Sequence, residues 1–80
     1  MKAKVFVSLK KSVLDPQGKT IHTSLRNLGY SNVEDVRQGK FFEISLDSSL
    51  SRADVQKEVE RIAKSVLTNP VIEEFSYEIE

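Results

Sequence analysis

His22 is the only imidazole in the chain, and there is no cysteine and no second histidine with which to build a metal site or activate a nucleophile. Its place one residue beyond Ile21, on a segment with helical spacing, predicts a side chain at the solvent or the edge of the core. The carboxylates gather at Glu73, Glu74, Glu78 and Glu80. Mutual repulsion there could raise a pKa for acid–base work, but water screens charges on an exposed strand, and acidic residues commonly keep an edge strand soluble. Gly18, Gly29 and Gly39 each stand alone, so no glycine-rich loop cradles a phosphate. The chemistry-bearing residues therefore predict no catalytic group, no metal and no cofactor on this chain, and attention passes to what its surface presents.

Eighty residues with 39% hydrophobic and 30% charged positions suit one packed domain, residues 1–80, and are too apolar for disorder. A core of this size seldom supplies more than about 3 to 5 kcal/mol, and such chains often add a disulfide, a metal or a partner. With no cysteine and one histidine, self-association is the expected support. Met1-Lys2-Ala3-Lys4 leads into alternating residues, so neither a signal peptide nor a membrane span is expected, and the expected location is the cytoplasm. Twelve basic and twelve acidic residues cancel overall. Residues 1–40 carry eight Lys or Arg against three Asp or Glu, however, and residues 41–80 carry four against nine. Opposed patches of that kind steer association between chains.

The hydrophobic periods supply the elements. Ala3, Val5, Val7 and Leu9 alternate with Lys4, Phe6 and Ser8, which predicts a strand with one buried face. Asp15-Pro16 reads as a helix cap followed by the first helical residue. Ile21, Leu25 and Leu28 continue at helical spacing until Gly29, predicting a helix over 16–28. Gly18 in the first turn points to a close backbone approach. Val33 to Arg37 predicts a short strand, Gln38-Gly39 a turn, and Lys40 to Leu46 a longer strand, together a hairpin. Ser51-Arg-Ala-Asp54 has capping-box spacing ahead of an apolar stripe of Val55, Val59, Ile62 and Val66, and Asn69-Pro70 ends that helix. Phe75, Tyr77 and Ile79 alternate again as a last strand.

The order βαββαβ predicts an α+β, ferredoxin-like two-layer sandwich, a four-stranded antiparallel sheet with both helices on one face and with Ala3 to Leu9 and Lys40 to Leu46 as its central strands. On the open face Phe6 and Phe41 should be neighbours, a candidate contact surface. An RNA-binding sandwich places aromatics in this way, with Lys4, Lys10 and Lys40 nearby. Arg37-Gln-Gly-Lys-Phe-Phe-Glu43 departs from that consensus, because Glu43 would repel phosphate. An ACT-like module sensing a small molecule between paired copies shares the same element order. Asp15-Pro-Gln-Gly18 mimics its glycine-bearing turn only weakly.

Four motifs in sequence, Val13-Leu-Asp-Pro-Gln-Gly-Lys19, Leu28-Gly-Tyr30, Val36-Arg-Gln-Gly-Lys40 and Asn69-Pro-Val-Ile-Glu73, make the chain resemble the PurS family from end to end. PurS is the small subunit of phosphoribosylformylglycinamidine (FGAM) synthase. The resemblance implies a non-catalytic subunit, a homodimer or higher, that joins a large synthetase subunit (PurL) to a glutaminase subunit (PurQ), with ATP and magnesium on the synthetase. The glutaminase would release ammonia from glutamine and the synthetase would use it to form FGAM. No nucleic acid or membrane partner is implied. Carried over by motif as partner or interface candidates are Asp15, Pro16, Gln17 and Gly18, and Asn69, Pro70, Val71, Ile72 and Glu73. The first four also serve to start a helix and Asn69-Pro70 to stop one, so structural duty and partner contact overlap. Arg37 and Lys40, flanking the expected turn, are cations that could meet an acidic partner or simply be solvated.

Overall fold

The structure, a computed structural model, describes residues 1–80. Strand β1 (Lys2–Leu9) is followed by helix α1 (Pro16–Asn27), strand β2 (Gly39–Ser45), helix α2 (Arg52–Ile62) with a π-helical turn (Ala63–Leu67), and strand β3 (Glu73–Ile79). The three strands form one antiparallel sheet in the order β2-β1-β3. β1 is the central strand because the alternation of Ala3, Val5 and Val7 buries one face completely. Pairing sets Val5 opposite Phe42 and Tyr77, and Phe6 opposite Phe41 and Ser76, so each row of side chains stays on one face of the sheet.

The expected sheet is corrected in two respects. The sheet has three strands, not four, which leaves β2 at an edge instead of the centre. Residues 33–37 are not a strand because side chains occupy their backbone groups. His22 Nε2 lies 2.8 Å from the Val33 carbonyl, Asp35 Oδ1 accepts from Val36 N–H at 2.9 Å, and the following Gln38 N–H donates to Asp15 Oδ2 at 2.7 Å. With those groups taken by side chains, the segment joins no ladder.

Helix α2 alone covers the inner face of the sheet. Ser51 Oγ accepts from Asp54 N–H at 3.2 Å and starts the helix, and Val55, Val59 and Ala63 pack on Ala3, Val5 and Val7 to form the core. The stripe read from the sequence holds for Val55 and Val59 and then breaks at the π turn. One wider turn rotates the following residues, so Leu67 packs against the core while Val66 faces solvent. Thr68 is carried inside with its hydroxyl unpaired.

Helix α1 lies away from the sheet, contrary to the expectation of two helices on one face. Its only buried residue is Gly18, and none of its residues joins the core formed by the sheet and α2. The molecule measures 51 × 25 × 14 Å. A strand of seven or eight residues spans about 25 Å and a twelve-residue helix about 18 Å, so the long axis fits only if helix and sheet stand end to end. The radius of gyration, 16.2 Å, exceeds the roughly 12 Å of a compact chain of this length.

Candidate interaction surface

The base of the α1 arm is where the predicted residues converge. Asp15 is 5% exposed and ties helix α1 to the segment that returns to the sheet. Its Oδ1 accepts the Gly18 N–H at 2.9 Å as an N-cap, and its Oδ2 accepts the Gln38 N–H at 2.7 Å on the returning segment. Those N–H groups, Gln38 first, hold its carboxyl below the usual carboxylate range. Pro16 occupies the first turn, where no N–H is needed. The Gln17 and Gln38 side chains hydrogen-bond to each other. Gly18 leaves no room for a Cβ, which would stand 2.3 Å from the Val36 carbonyl oxygen, as its position in the first turn suggested. Arg37 donates from Nη2 to the carbonyls of Lys10, at 3.1 Å, and Val13, at 2.9 Å, tying the β1–α1 loop to the return leg.

From this base a shallow cleft of about 180 Å³ runs toward β3, bordered by Asp15, Gln17, Gln38, Lys40 and Glu73. Lys40 Nζ lies 3.5 Å from Glu73 Oε2, and the other oxygen of Glu73 accepts Asn69 N–H at 2.8 Å. Asn69 Oδ1 accepts from Val71 N–H at 3.1 Å, and the Ile72 carbonyl accepts Lys10 N–H at 2.8 Å. The turn from Asn69 to Glu73, with Pro70 exposed in it, is thus fastened to the arm base and presents Val71 and Ile72 outward. Two motifs far apart in sequence meet at one end of the sheet.

Phe6 and Phe41 stand elsewhere, on the outer sheet face, with ring centroids 5.2 Å apart and planes inclined by 29°. Both are exposed. Around them the charges alternate in sign. Lys4 pairs across the sheet with Glu43 and Glu78, and its Nζ lies 2.8 Å from Glu80 Oε1. The hydrogen bond and charge of Glu80 raise the Lys4 pKa, and Lys4 in turn lowers that of Glu80. A lysine so neutralised is a poor phosphate ligand, and the face reads as one for protein. His22 is a half-buried brace inside the arm, its Nε2–H facing the Val33 carbonyl.

Sequence reasoning missed the Asp15–Gln38 tie, the π turn, the orphaned Thr68 hydroxyl and the bond from Tyr77 Oη to Glu60 Oε1 at 2.8 Å, which raises the phenol pKa. The first had a signal, an aspartate with two acceptor oxygens and only one needed for a cap. The π turn had none. No three His, Cys, Asp or Glu side chains are grouped as a metal ion would need.

A family model described as PurS, phosphoribosylformylglycinamidine (FGAM) synthase, matches residues 2–80. The chain belongs to the PurS family. The Bacillus subtilis PurS subunit of phosphoribosylformylglycinamidine synthase is 44% identical over 99% of this chain and 92% of its own length. Methanocaldococcus jannaschii PurS, described as one of the subunits of formylglycinamide ribonucleotide amidotransferase in the purine biosynthetic pathway, is 39% identical. Its crystal structure superposes with a TM-score of 0.87 over 99% of this chain and 94% of that one. A chain of the PurLQS structure from Thermotoga maritima is 27% identical, with a TM-score of 0.87 over 96% and 93%. At such coverage these scores mean that the chain shares its overall fold with both of those chains.

Proposed function

We propose that this PurS-family chain is a non-catalytic assembly subunit of FGAM synthase, the glutamine- and ATP-dependent enzyme of purine biosynthesis. It self-associates and holds a large synthetase subunit against a glutaminase subunit, so that ammonia passes between their sites without escaping. ATP and magnesium belong to the synthetase in this reading, and the complex works in the cytoplasm. The observation that carries it is the full-length likeness to PurS chains, one of them in the PurLQS structure from Thermotoga maritima. The structure adds a physical reason. A body this thin, with an aromatic pair on one face and exposed apolar side chains such as Ile21 and Leu28 on the arm, has far more surface than core. No helix is long and apolar enough to cross a membrane.

The test is reconstitution with the synthetase and glutaminase of the same source. Adding this chain should bring the two together in one sedimenting species and restore glutamine-dependent FGAM formation. Activity with added ammonium should need only the synthetase. Glutamine-dependent activity of full size without this chain would refute the reading.

A further inference from the structure

We propose that the end of helix α2 is a two-register switch. In one register the π turn (Ala63–Leu67) holds Leu67 on the core and Val66 in solvent. In the other the turn tightens to α-helix, Val66 takes the place of Leu67, and the Thr68 hydroxyl moves out to water. The switch belongs to this segment alone and stands whether or not the chain assembles with other subunits.

Three observations converge on the same slip of one residue. Val66 is 74% exposed, although a regular helix, turning about 100° per residue, sets it within roughly 20° of Val55 on the buried stripe. Thr68 is 8% exposed with its hydroxyl unpaired, although the same rotation carries it to the far side of the helix, toward water. Ser65 Oγ donates to the Arg61 carbonyl, the acceptor that the Ser65 N–H uses in a regular helix, which weakens the ladder where the wide turn sets in. Tightening that turn cures the first two faults together. It exchanges one aliphatic side chain on the core for another, Leu67 for Val66, and relieves a buried hydroxyl, so the two registers lie close in free energy. The sheet need not move, since Val55, Val59 and Ala63 keep their places on it.

The turn that follows gives the switch its consequence. Thr68 leads directly into Asn69, whose N–H donates to Glu73 Oε1 at 2.8 Å, while Lys40 Nζ lies 3.5 Å from the other oxygen of Glu73. A hollow of about 250 Å³ beside Lys64, Thr68 and Phe75 leaves room for the backbone to rearrange. Glu73 borders both this hollow and the cleft at the arm base. Tightening the end of α2 therefore draws Asn69 away from Glu73 and loosens one wall of that cleft. Anything that covers Val66 from outside holds the π register and keeps the turn fastened.

Relaxation-dispersion NMR on the methyl and amide groups of the full-length chain provides the test, because helix register shifts fall on the microsecond-to-millisecond scale. One shared exchange process should appear at Val66, Leu67, Thr68 and the amides of Asn69 and Glu73, with minor-state shifts of the Val66 methyls typical of a packed side chain. Two substitutions at exposed positions should then push the populations in opposite directions. Val66→Ser, which the α register would bury, should lower the minor population at least about fivefold, with the urea midpoint unchanged. Ser65→Ala, which frees the Arg61 carbonyl, should raise it at least about twofold. No exchange at these positions in the wild type, an exchange that Val66→Ser leaves unchanged, or one that Ser65→Ala leaves unchanged or suppresses, as it would suppress simple fraying of the helix end, would each overturn the proposal.

Discussion

Asp15 Oδ2 holds the Gln38 N–H at 2.7 Å across the base of the arm, while Oδ1 of the same carboxylate caps helix α1 at Gly18. One side chain therefore sets both where the helix begins and where the chain returns to the sheet.

Replacing that carboxylate separates the two duties. Asp15→Asn keeps an oxygen for the cap but turns an amide N–H toward the Gln38 N–H, and Asp15→Ala loses both acceptors. Urea midpoints at neutral pH should fall in the order wild type, Asn, Ala.

Acid should act at the same place. Because the Gln38 and Gly18 N–H groups depress the Asp15 pKa in the folded chain, its contribution is fully present above the unfolded value near 3.9 and is lost as pH falls through the lower folded value. The stability gap between wild type and Asp15→Ala should be constant from pH 7 to about 5 and close below about 4, as read by urea unfolding at each pH. A gap unchanged at pH 2 would contradict the assignment.

Gly18 and Gly29 should respond differently to alanine. At Gly18 the new Cβ meets backbone at 2.3 Å, so the arm base must shift, at a cost of about 1 to 3 kcal/mol. At Gly29 the space is open and only φ of +99° penalises a side chain, by roughly 1 kcal/mol. Only Gly18→Ala should also displace the amide resonances of Val36 and Gln38.

Thr68 offers a stabilising change. Its buried hydroxyl has no partner, and an unsatisfied buried polar group costs about 1 to 3 kcal/mol. Thr68→Val keeps the shape and removes the penalty, so thermal unfolding should move upward by the equivalent of about 1 kcal/mol.

The Phe6–Phe41 pair should matter to assembly more than to folding. An exposed aromatic pair contributes about 0.5 to 1.5 kcal/mol, so Phe6→Ser/Phe41→Ser should unfold close to the wild type. The reconstituted enzyme should nevertheless lose glutamine-dependent activity while keeping activity with ammonium.

Much of this was legible in the residues. Alternation in 3–9 and 75–79 located two strands. Asp15-Pro16 and Ser51 mark both helix starts, and the alternation of the two strands is enough to make Phe6 and Phe41 neighbours. The segment 33–37 imitates a strand through its apolar Val33 and Val36, whereas its backbone is held by His22 and, at the adjoining Gln38, by Asp15, contacts that no local window contains. The place of α1 was misread for a related reason. An apolar stripe marks one face of a helix and is silent about where the helix stands relative to the sheet. At the π turn, periodicity carried Val66 inward one residue too early.

The 14 Å thickness of the chain has a consequence for how its sequence can change. With nine buried residues of 80, few positions answer to an interior of their own. Most mutations will register first as altered fit among subunits, and a growth-based mutational scan should therefore trace the contours of neighbouring proteins more faithfully than the stability of this one.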